Sequence, residues 1–154
     1  LYHNPFPAKG LYKCRIVYDQ LSQEAGFIPY VPKVINRIKV IEDNTIEYAH
    51  KFVDRAAIDR LFCQRGDCDD VLIVKNGRVT DCSFSNIVFR KGHQWFTPNT
   101  PLLEGTMRQH LLDENFISSR EIRSGDIRSF DTFKIINAML EFDSPEIEVS
   151  AIVF

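Results

Sequence analysis

Short apolar runs alternate with polar turns along most of the chain, a pattern typical of a sheet-rich domain with few helices. Two turn signals are clear, Asn76-Gly77 and Gly92, and each separates two apolar runs. From the runs we predict strands at 11–19, 26–31, 34–41, 71–74, 87–89, 95–98, 117–122, 132–136 and 147–153.

Apolar residues recur at helical spacing in two segments only, 54–63 and 106–116. Gly66 follows the first segment, where a left-handed residue often ends a helix. Two helices among many short strands indicate an α+β fold, and we expect a mixed, largely antiparallel sheet, partly barrel-like, with the helices packed outside.

Length, charge and cysteine content limit the classes of function that the chain could have. The 154 residues are 44% hydrophobic and suffice for one domain, or one domain and part of another. A formal net charge of −2 gives no electrostatic case for nucleic acid or an anionic membrane, and no apolar run approaches the length of a membrane span. Four irregularly spaced cysteines favour reduced thiols in a cytoplasmic protein, and Cys63 and Cys68 lack a second ligand pair, so we expect no metal site.

Lys51 is the first candidate for chemistry, since it lies between a predicted short strand and a helix, close to Tyr48, His50 and Arg55. Covalent amine chemistry requires a lysine that loses its proton easily, and such neighbours make Lys51 less like an open surface residue. The alternative is a solvated lysine near a helix start.

Asp81 and the segment Gly105-Thr106-Met107 could bind opposite ends of one ligand. A carboxylate between strands can pair with a protonated ring nitrogen, although it can equally cap a turn. The backbone N–H groups of Thr106 and Met107, with the Thr106 hydroxyl, open a helix and could bind a phosphate. The alternative for Thr106 is an ordinary N-cap.

Three further groups are candidates for binding anions. Asn137-Ala138 ends a strand and could add phosphate contacts. Lys13 and Arg15 share one face of the first predicted strand, where they could bind a substrate carboxylate or simply form a solvated edge.

The order of these motifs resembles one family. Lys51 in HKFVDR, Asp81 in RVTDCSFSN, Thr97-Pro98, GTMR at 105–108 and INAM at 136–139 follow each other as in the class IV, fold-type IV pyridoxal-phosphate enzymes. This family includes branched-chain aminotransferases, D-amino-acid aminotransferases and aminodeoxychorismate lyase. The lyase is the most similar, through Lys-x-x-x-Arg, GTMRQ and Asn-Ala-Met.

The resemblance implies a role for each candidate. Lys51 would be the catalytic residue and bond to the aldehyde of pyridoxal 5′-phosphate, while Asp81 would pair with the pyridine nitrogen, where the family more often has the longer Glu. The other residues implied in cofactor binding are Asn86, Gly105, Thr106, Met107, Asn137 and Ala138. Lys13 or Arg15 would bind the substrate carboxylate.

The resemblance also implies a D-amino-acid aminotransferase-like fold, with residues 1–50 as the remainder of a small N-terminal domain and 51–154 as the larger cofactor-binding domain. The family's usual N-terminal hairpin and helix are not evident before residue 11, so we expect a fragment, an absent start or a trimmed variant. The expected activity is elimination of pyruvate from aminodeoxychorismate to give 4-aminobenzoate, on the folate route. The alternatives are aminotransfer between amino acids and a degenerate, non-catalytic member. A homodimer acting on a small amino substrate is expected.

Overall fold

The computed structural model describes residues 9–140 and 142–154. The chain divides into two compact units between Lys33 and Val34. Residues 34–50, which were predicted to belong to the small N-terminal domain, contain a strand that is built into the sheet of the larger unit. That the family's small and large domains meet between residues 50 and 51 stays a prediction.

The N-terminal unit contains an antiparallel hairpin of β1 (Tyr12–Tyr18) and β2 (Gln23–Pro29). Its turn is closed by Asp19, whose Oδ1 accepts the backbone N–H groups of Leu21 and Ser22. The strand register places Lys13 and Arg15 on one face, as the period of two predicts.

A four-stranded sheet forms one main layer of the larger unit. It is formed by β3 (Ile38–Glu42), β4 (Asp70–Lys75), β5 (Arg78–Cys82) and β11 (Ile152–Val153), in the order β11-β3-β4-β5. Only the last pair is antiparallel. Asn76 and Gly77, with φ of 53° and 72°, connect β4 to β5, as the tightest hairpin turn requires.

The β4–β5 pair contains an irregularity that matters for function. Its register shifts between the pairs Leu72–Cys82 and Val74–Val79, so β5 has one residue more than β4 in this interval. The extra residue falls at Thr80–Asp81. A bulge of this kind redirects the side chains of the bulged strand, and Asp81 lies within it.

A five-stranded sheet forms the other main layer of the larger unit. Its strands are β6 (Asn86–Lys91), β7 (Gln94–Pro98), β8 (Ser118–Arg120), β9 (Thr132–Ile136) and β10 (Ile147–Glu148), in the order β10-β9-β6-β7-β8. All its pairs are antiparallel except β7–β8.

The two predicted helices are present and are shorter than expected. α1 is Ala56–Phe62 and continues as a 3-10 turn to Arg65, and α2 is Thr106–Asp113. α2 ends before 116 because Asn115 takes a left-handed φ of 59° and the Phe116 N–H donates to the Leu111 carbonyl.

Two sequence predictions about strands were wrong. The last strand, predicted over 147–153, is divided by a 3-10 turn at Val149–Ala151, so that β10 and β11 join different sheets. The segment before Lys51 is irregular rather than a strand. The Ile46 carbonyl accepts a hydrogen bond from the Lys75 ammonium at 2.7 Å, and not from the backbone N–H of a neighbouring strand.

The main core lies around the sheets, where Phe89 and Phe133 are fully buried. A second cluster packs α1 on the outer side of β4 through Ile58, Leu61 and Val71. A third packs α2 against β6 and β9. The α+β class with a mixed, largely antiparallel arrangement of open sheets and flanking helices is therefore confirmed. No helix among the described residues is long and apolar enough to cross a membrane.

Candidate active site

One cavity of the larger unit brings together residues that are far apart in sequence. It lies between the end of β5, the segment before α1 and the start of α2. Lys51, Asp81 and Thr106 all line it, as do Asn86, Gly105, Asn137 and Ala138 among the residues predicted from sequence. The remaining lining residues are Tyr48, Arg55, Ile58, Cys82, Ser83, Phe84, Ser85, Leu102 and Leu103.

Asp81 is the most constrained charged group of the cavity and is 5% exposed. Its Oδ2 accepts the backbone N–H groups of Leu102 and Leu103 at 2.8 and 2.9 Å, and its Oδ1 accepts the Asn86 amide at 2.6 Å. Burial raises the pKa of Asp81 to about 6, against the lowering effect of these hydrogen bonds and of the nearby Arg108 charge. Because a carboxylate oxygen accepts about two hydrogen bonds, Oδ1 keeps capacity for one more donor.

The segment 99–105 is held so that its amides reach Asp81. Thr100 donates its hydroxyl to the Val79 carbonyl, and the Asn99 N–H donates to Arg120. Arg108, which is 5% exposed, donates to the Pro98 carbonyl at 3.1 Å and so joins the first turn of α2 to the end of β7. The sequence did not indicate this role for the segment, because backbone amides leave no residue-type signal.

Asn86 connects the acid to the start of α2. Its amide nitrogen donates to Asp81 and to the Leu103 carbonyl at 2.8 Å, while its Oδ1 lies against Gly105. A Cβ at position 105 would meet this oxygen well inside the 3.0 Å limit that real contacts keep. Gly105 is therefore required by the side chain it faces, since its own φ of −72° suits any residue.

We expect Gly105→Ala to lower the free energy of unfolding by about 1–3 kcal/mol, because the added methyl displaces the Asn86 amide. Urea unfolding followed by circular dichroism measures this change. Gly125→Ala is the matched control, since a Cβ there meets nothing within 4 Å. Equal stability of the two variants would contradict the proposed close contact.

The start of α2 presents backbone donors at the cavity. Gly105 precedes the helix in an extended conformation, and Thr106 begins it without any side-chain cap at its N-terminus. The N–H groups of a first helical turn have no partners within the helix, so they suit an anionic group. Met107 does not line the cavity. Its side chain packs against the cluster of Val88 and Leu111, which leaves only its backbone N–H for the predicted role.

Lys51 is exposed and lies in the irregular segment that precedes α1. The Tyr48 hydroxyl donates to the Phe52 carbonyl at 3.3 Å, and the Phe52 N–H donates to His50, so the backbone on both sides of Lys51 is tied down. A lysine amine that lines a cavity can act as the nucleophile towards an electrophilic carbon of a bound molecule.

Asn137 and Ala138 form a tight turn after β9. The Asn137 side chain accepts the Met139 N–H at 2.8 Å and donates to the Phe84 carbonyl at 3.5 Å. Its polar atoms thus shape the turn, and Ala138 is left exposed at the cavity.

Two of the predicted site residues are not part of the larger unit. Lys13 and Arg15 belong to the N-terminal unit, and their role with the substrate carboxylate stays a prediction. Arg55 lines the cavity but was not among the residues predicted for the site, although the Lys-x-x-x-Arg spacing was a signal for it. Cys82 also lines the cavity, but burial raises the pKa of its thiol, so it acts as a packing group and not as a nucleophile.

The chain is similar to known proteins over most of its length. The sequence model described as amino-transferase class IV matches residues 29–142. A protein of Haemophilus influenzae without assigned function is 46% identical over 129 residues, which are 84% of this chain and 69% of that protein. A candidate aminodeoxychorismate lyase of Schizosaccharomyces pombe is 36% identical over 75 residues, 44% of this chain and 32% of the relative.

Solved structures share the fold. The crystal structure of a candidate 4-amino-4-deoxychorismate lyase from Haemophilus somnus has a TM-score of 0.82 and 40% identity, covering 85% of this chain and 68% of that chain. A pyridoxal-phosphate-bound form of a Mycobacterium tuberculosis protein described as a hypothetical aminotransferase has a TM-score of 0.67 and 17% identity, covering 85% and 55% respectively.

Proposed function

Because the chain belongs to the amino-transferase class IV family, we propose that its cavity binds pyridoxal 5′-phosphate and acts on a small amino substrate. The observation that carries the proposal is that Lys51, Asp81 and Thr106 line one cavity. An amine, a buried acid and a helix start are the groups that this cofactor's aldehyde, ring nitrogen and phosphate require.

The residues present fit the cofactor. Asp81 has acceptor capacity left at Oδ1 for a ring N–H, and its buried charge would keep that nitrogen protonated. Thr106 and Gly105 would hold the phosphate, where a side chain at 105 would intrude on Asn86. When bound, pyridoxal phosphate supplies an electron sink for charge that develops at the substrate's α-carbon.

Lys51 would have two roles. Its Nζ would bond covalently to the cofactor's aldehyde carbon in the resting enzyme, with the aldehyde oxygen released as water. After a substrate amine takes that place, the free amine would remove the proton from the substrate's α-carbon as a general base. The exposed position of Lys51 at the cavity wall leaves it accessible to an entering substrate.

For the finer activity we propose elimination of pyruvate from aminodeoxychorismate to give 4-aminobenzoate. The motifs GTMRQ and Asn-Ala-Met support this reaction, as does the 40% identity to the candidate lyase of Haemophilus somnus. Aminotransfer between an amino acid and a keto acid is the second candidate, supported by the description of the matching family.

The test uses the purified chain supplied with pyridoxal phosphate. Aminodeoxychorismate is added in one assay and an amino acid with a keto acid in another, with Lys51→Ala as the inactive control. Release of 4-aminobenzoate and pyruvate supports the lyase, and formation of a new amino acid supports the aminotransferase. Cofactor binding without either product supports the non-catalytic alternative, whereas absence of binding overturns the proposed function.

A further inference from the structure

Lys51 lies outside the regular secondary structure of the larger unit. β3 ends at Glu42 and α1 begins at Ala56, so neither a strand ladder nor a helix fixes its backbone. Its place in the cavity wall depends instead on the contacts of the irregular segment 43–55. Such contacts matter for an amine that must reach one atom of a bound molecule, because a flexible segment loses entropy when it is ordered.

A tight turn of the backbone has Lys51 at its centre. The Phe52 N–H donates to the His50 carbonyl at 2.9 Å, and a hydrogen bond between residues two apart closes a γ-turn around the residue between them. The Phe52 carbonyl accepts the Tyr48 hydroxyl at 3.3 Å. The residue that follows Lys51 is thus held at both of its polar backbone groups.

Tyr48 is itself fixed in the fold. It is 6% exposed, and its ring belongs to the core cluster that contains Ile58 and Leu61 of α1. Phe52, in contrast, is 56% exposed, and its ring meets that of Tyr48 edge-on with the centroids 6.4 Å apart. The hydroxyl of a buried residue therefore holds the carbonyl of an exposed one. Tyr48 is the anchor, and the γ-turn is the part that it restrains.

Resting on the proposed function, we propose that Tyr48 is a positioning residue whose hydroxyl holds the γ-turn so that the Lys51 amine meets the cofactor's aldehyde. In this condensation the carbon–nitrogen double bond forms and the carbon–oxygen bond breaks, and the oxygen leaves as water with both protons of the neutral amine. Tyr48 takes no part in these bond changes. It lowers the cost of ordering Lys51 and so stabilises the covalent attachment, not the contacts of the ring and phosphate.

Two ligands separate this positioning role from a general effect on the cavity. Pyridoxal phosphate can bond to Lys51, whereas 4′-deoxypyridoxine 5′-phosphate carries a methyl group in place of the aldehyde and cannot. Calorimetry on the whole chain gives both dissociation constants for wild type and for Tyr48→Phe, which removes the hydroxyl and keeps the ring. Tyr18→Phe is the matched control, because Tyr18 lies in the N-terminal unit and is 78% exposed.

We expect Tyr48→Phe to bind pyridoxal phosphate roughly 2- to 10-fold more weakly than wild type, which is the effect of one neutral hydrogen bond. It should bind the deoxy ligand as wild type does. In a Lys51→Ala background, Tyr48→Phe should no longer change the affinity for pyridoxal phosphate, because no amine is left to position. Tyr18→Phe should behave as wild type with both ligands.

A measurement without cofactor tests the restraint itself. Trypsin cuts after lysine and needs local opening of the chain, so the restrained γ-turn should slow cleavage between Lys51 and Phe52. In brief digests followed by mass spectrometry, this cut should appear faster in Tyr48→Phe than in wild type, and at the wild-type rate in Tyr18→Phe. Melting temperatures of all variants show whether a faster cut reflects loss of the whole fold.

Several results would overturn the inference and leave the proposed function intact. Equal weakening of both ligands by Tyr48→Phe would mean that Tyr48 only shapes the cavity. Unchanged affinity for both ligands, or an unchanged rate of cleavage after Lys51, would mean that the hydroxyl does not restrain the turn. If wild type binds neither ligand, the proposed function itself fails, and the inference fails with it.

Discussion

Lys51→Ala is expected to abolish the covalent attachment of pyridoxal phosphate completely. The cavity contains one lysine among its described lining residues, so removal of its amine leaves no group there that can bond to an aldehyde. Borohydride reduction of the wild-type protein with the cofactor should fix one cofactor per chain on the peptide that contains Lys51, as measured by mass spectrometry. The variant should give no labelled peptide from this region and no turnover.

Two controls make this result specific. Lys51→Arg keeps a positive charge but cannot form the bond, so it should resemble Lys51→Ala. Lys91→Ala removes an exposed lysine at the end of β6 and should label as wild type does. Labelling of the Lys51→Ala protein at another cavity position would show that a different amine performs the reaction.

Asp81→Asn is expected to gain stability relative to wild type as the pH rises from 4 to 7, and to bind the cofactor more weakly at pH 7. The folded pKa of Asp81 is about 6, above its ordinary value of 3.8. Between these values only the folded chain holds the proton, so the contribution of Asp81 to stability is present below pH 3.8 and is lost as the pH rises to 6 and above. A shift of this size corresponds to about 3 kcal/mol.

The measurement is a difference between two proteins. The free energy of unfolding of Asp81→Asn, relative to wild type, should rise by up to about 3 kcal/mol between pH 4 and pH 7. Comparison with wild type cancels the contribution of the other carboxylates with lowered pKa, such as Asp43 and Asp69, which stabilise the fold more as the pH rises. A difference that stays constant from pH 4 to pH 7 would show that Asp81 is not a strained buried acid.

The same variant should lose cofactor affinity by roughly 10- to 100-fold at pH 7. The two amides of Leu102 and Leu103 would hold the amide oxygen of the new side chain in the place of Oδ2. Its NH₂ group would then face both the Asn86 amide and the ring nitrogen, neither of which it can accept from. At position 81, asparagine thus favours stability at neutral pH, whereas aspartate favours cofactor binding.

The larger elements could be predicted from the sequence because each has a local cause. β4 contains the apolar run 71–74, which is fully buried, and Asn76-Gly77 is the turn that connects β4 to β5. Both helices follow from the spacing of apolar residues, and Gly66 takes the expected left-handed φ of 60°. The order of motifs was enough to predict the family, and with it that Lys51, Asp81 and Thr106 belong to one binding site.

What the sequence could not provide depends on contacts between distant segments. Ile46 and Tyr48 are buried like alternate residues of a strand. The Ile46 carbonyl, however, accepts a hydrogen bond from the side chain of Lys75 in β4, and the backbone there is irregular. Residues 147–153 have the pattern of one strand, although the structure divides them between two sheets. The bulge at Thr80–Asp81 and the amides of Leu102 and Leu103 are backbone features, so residue types do not reveal them.

The contact between Asn86 and Gly105 has a consequence for the divergence of these proteins. A side chain can appear at position 105 only after the residue at 86 has become smaller, and that earlier step removes the amide that holds Asp81. The two positions are therefore expected to vary together among relatives, with an exchange at 86 preceding one at 105. Relatives in which both positions 86 and 105 have changed should be those in which the acid at position 81 has already lost its role.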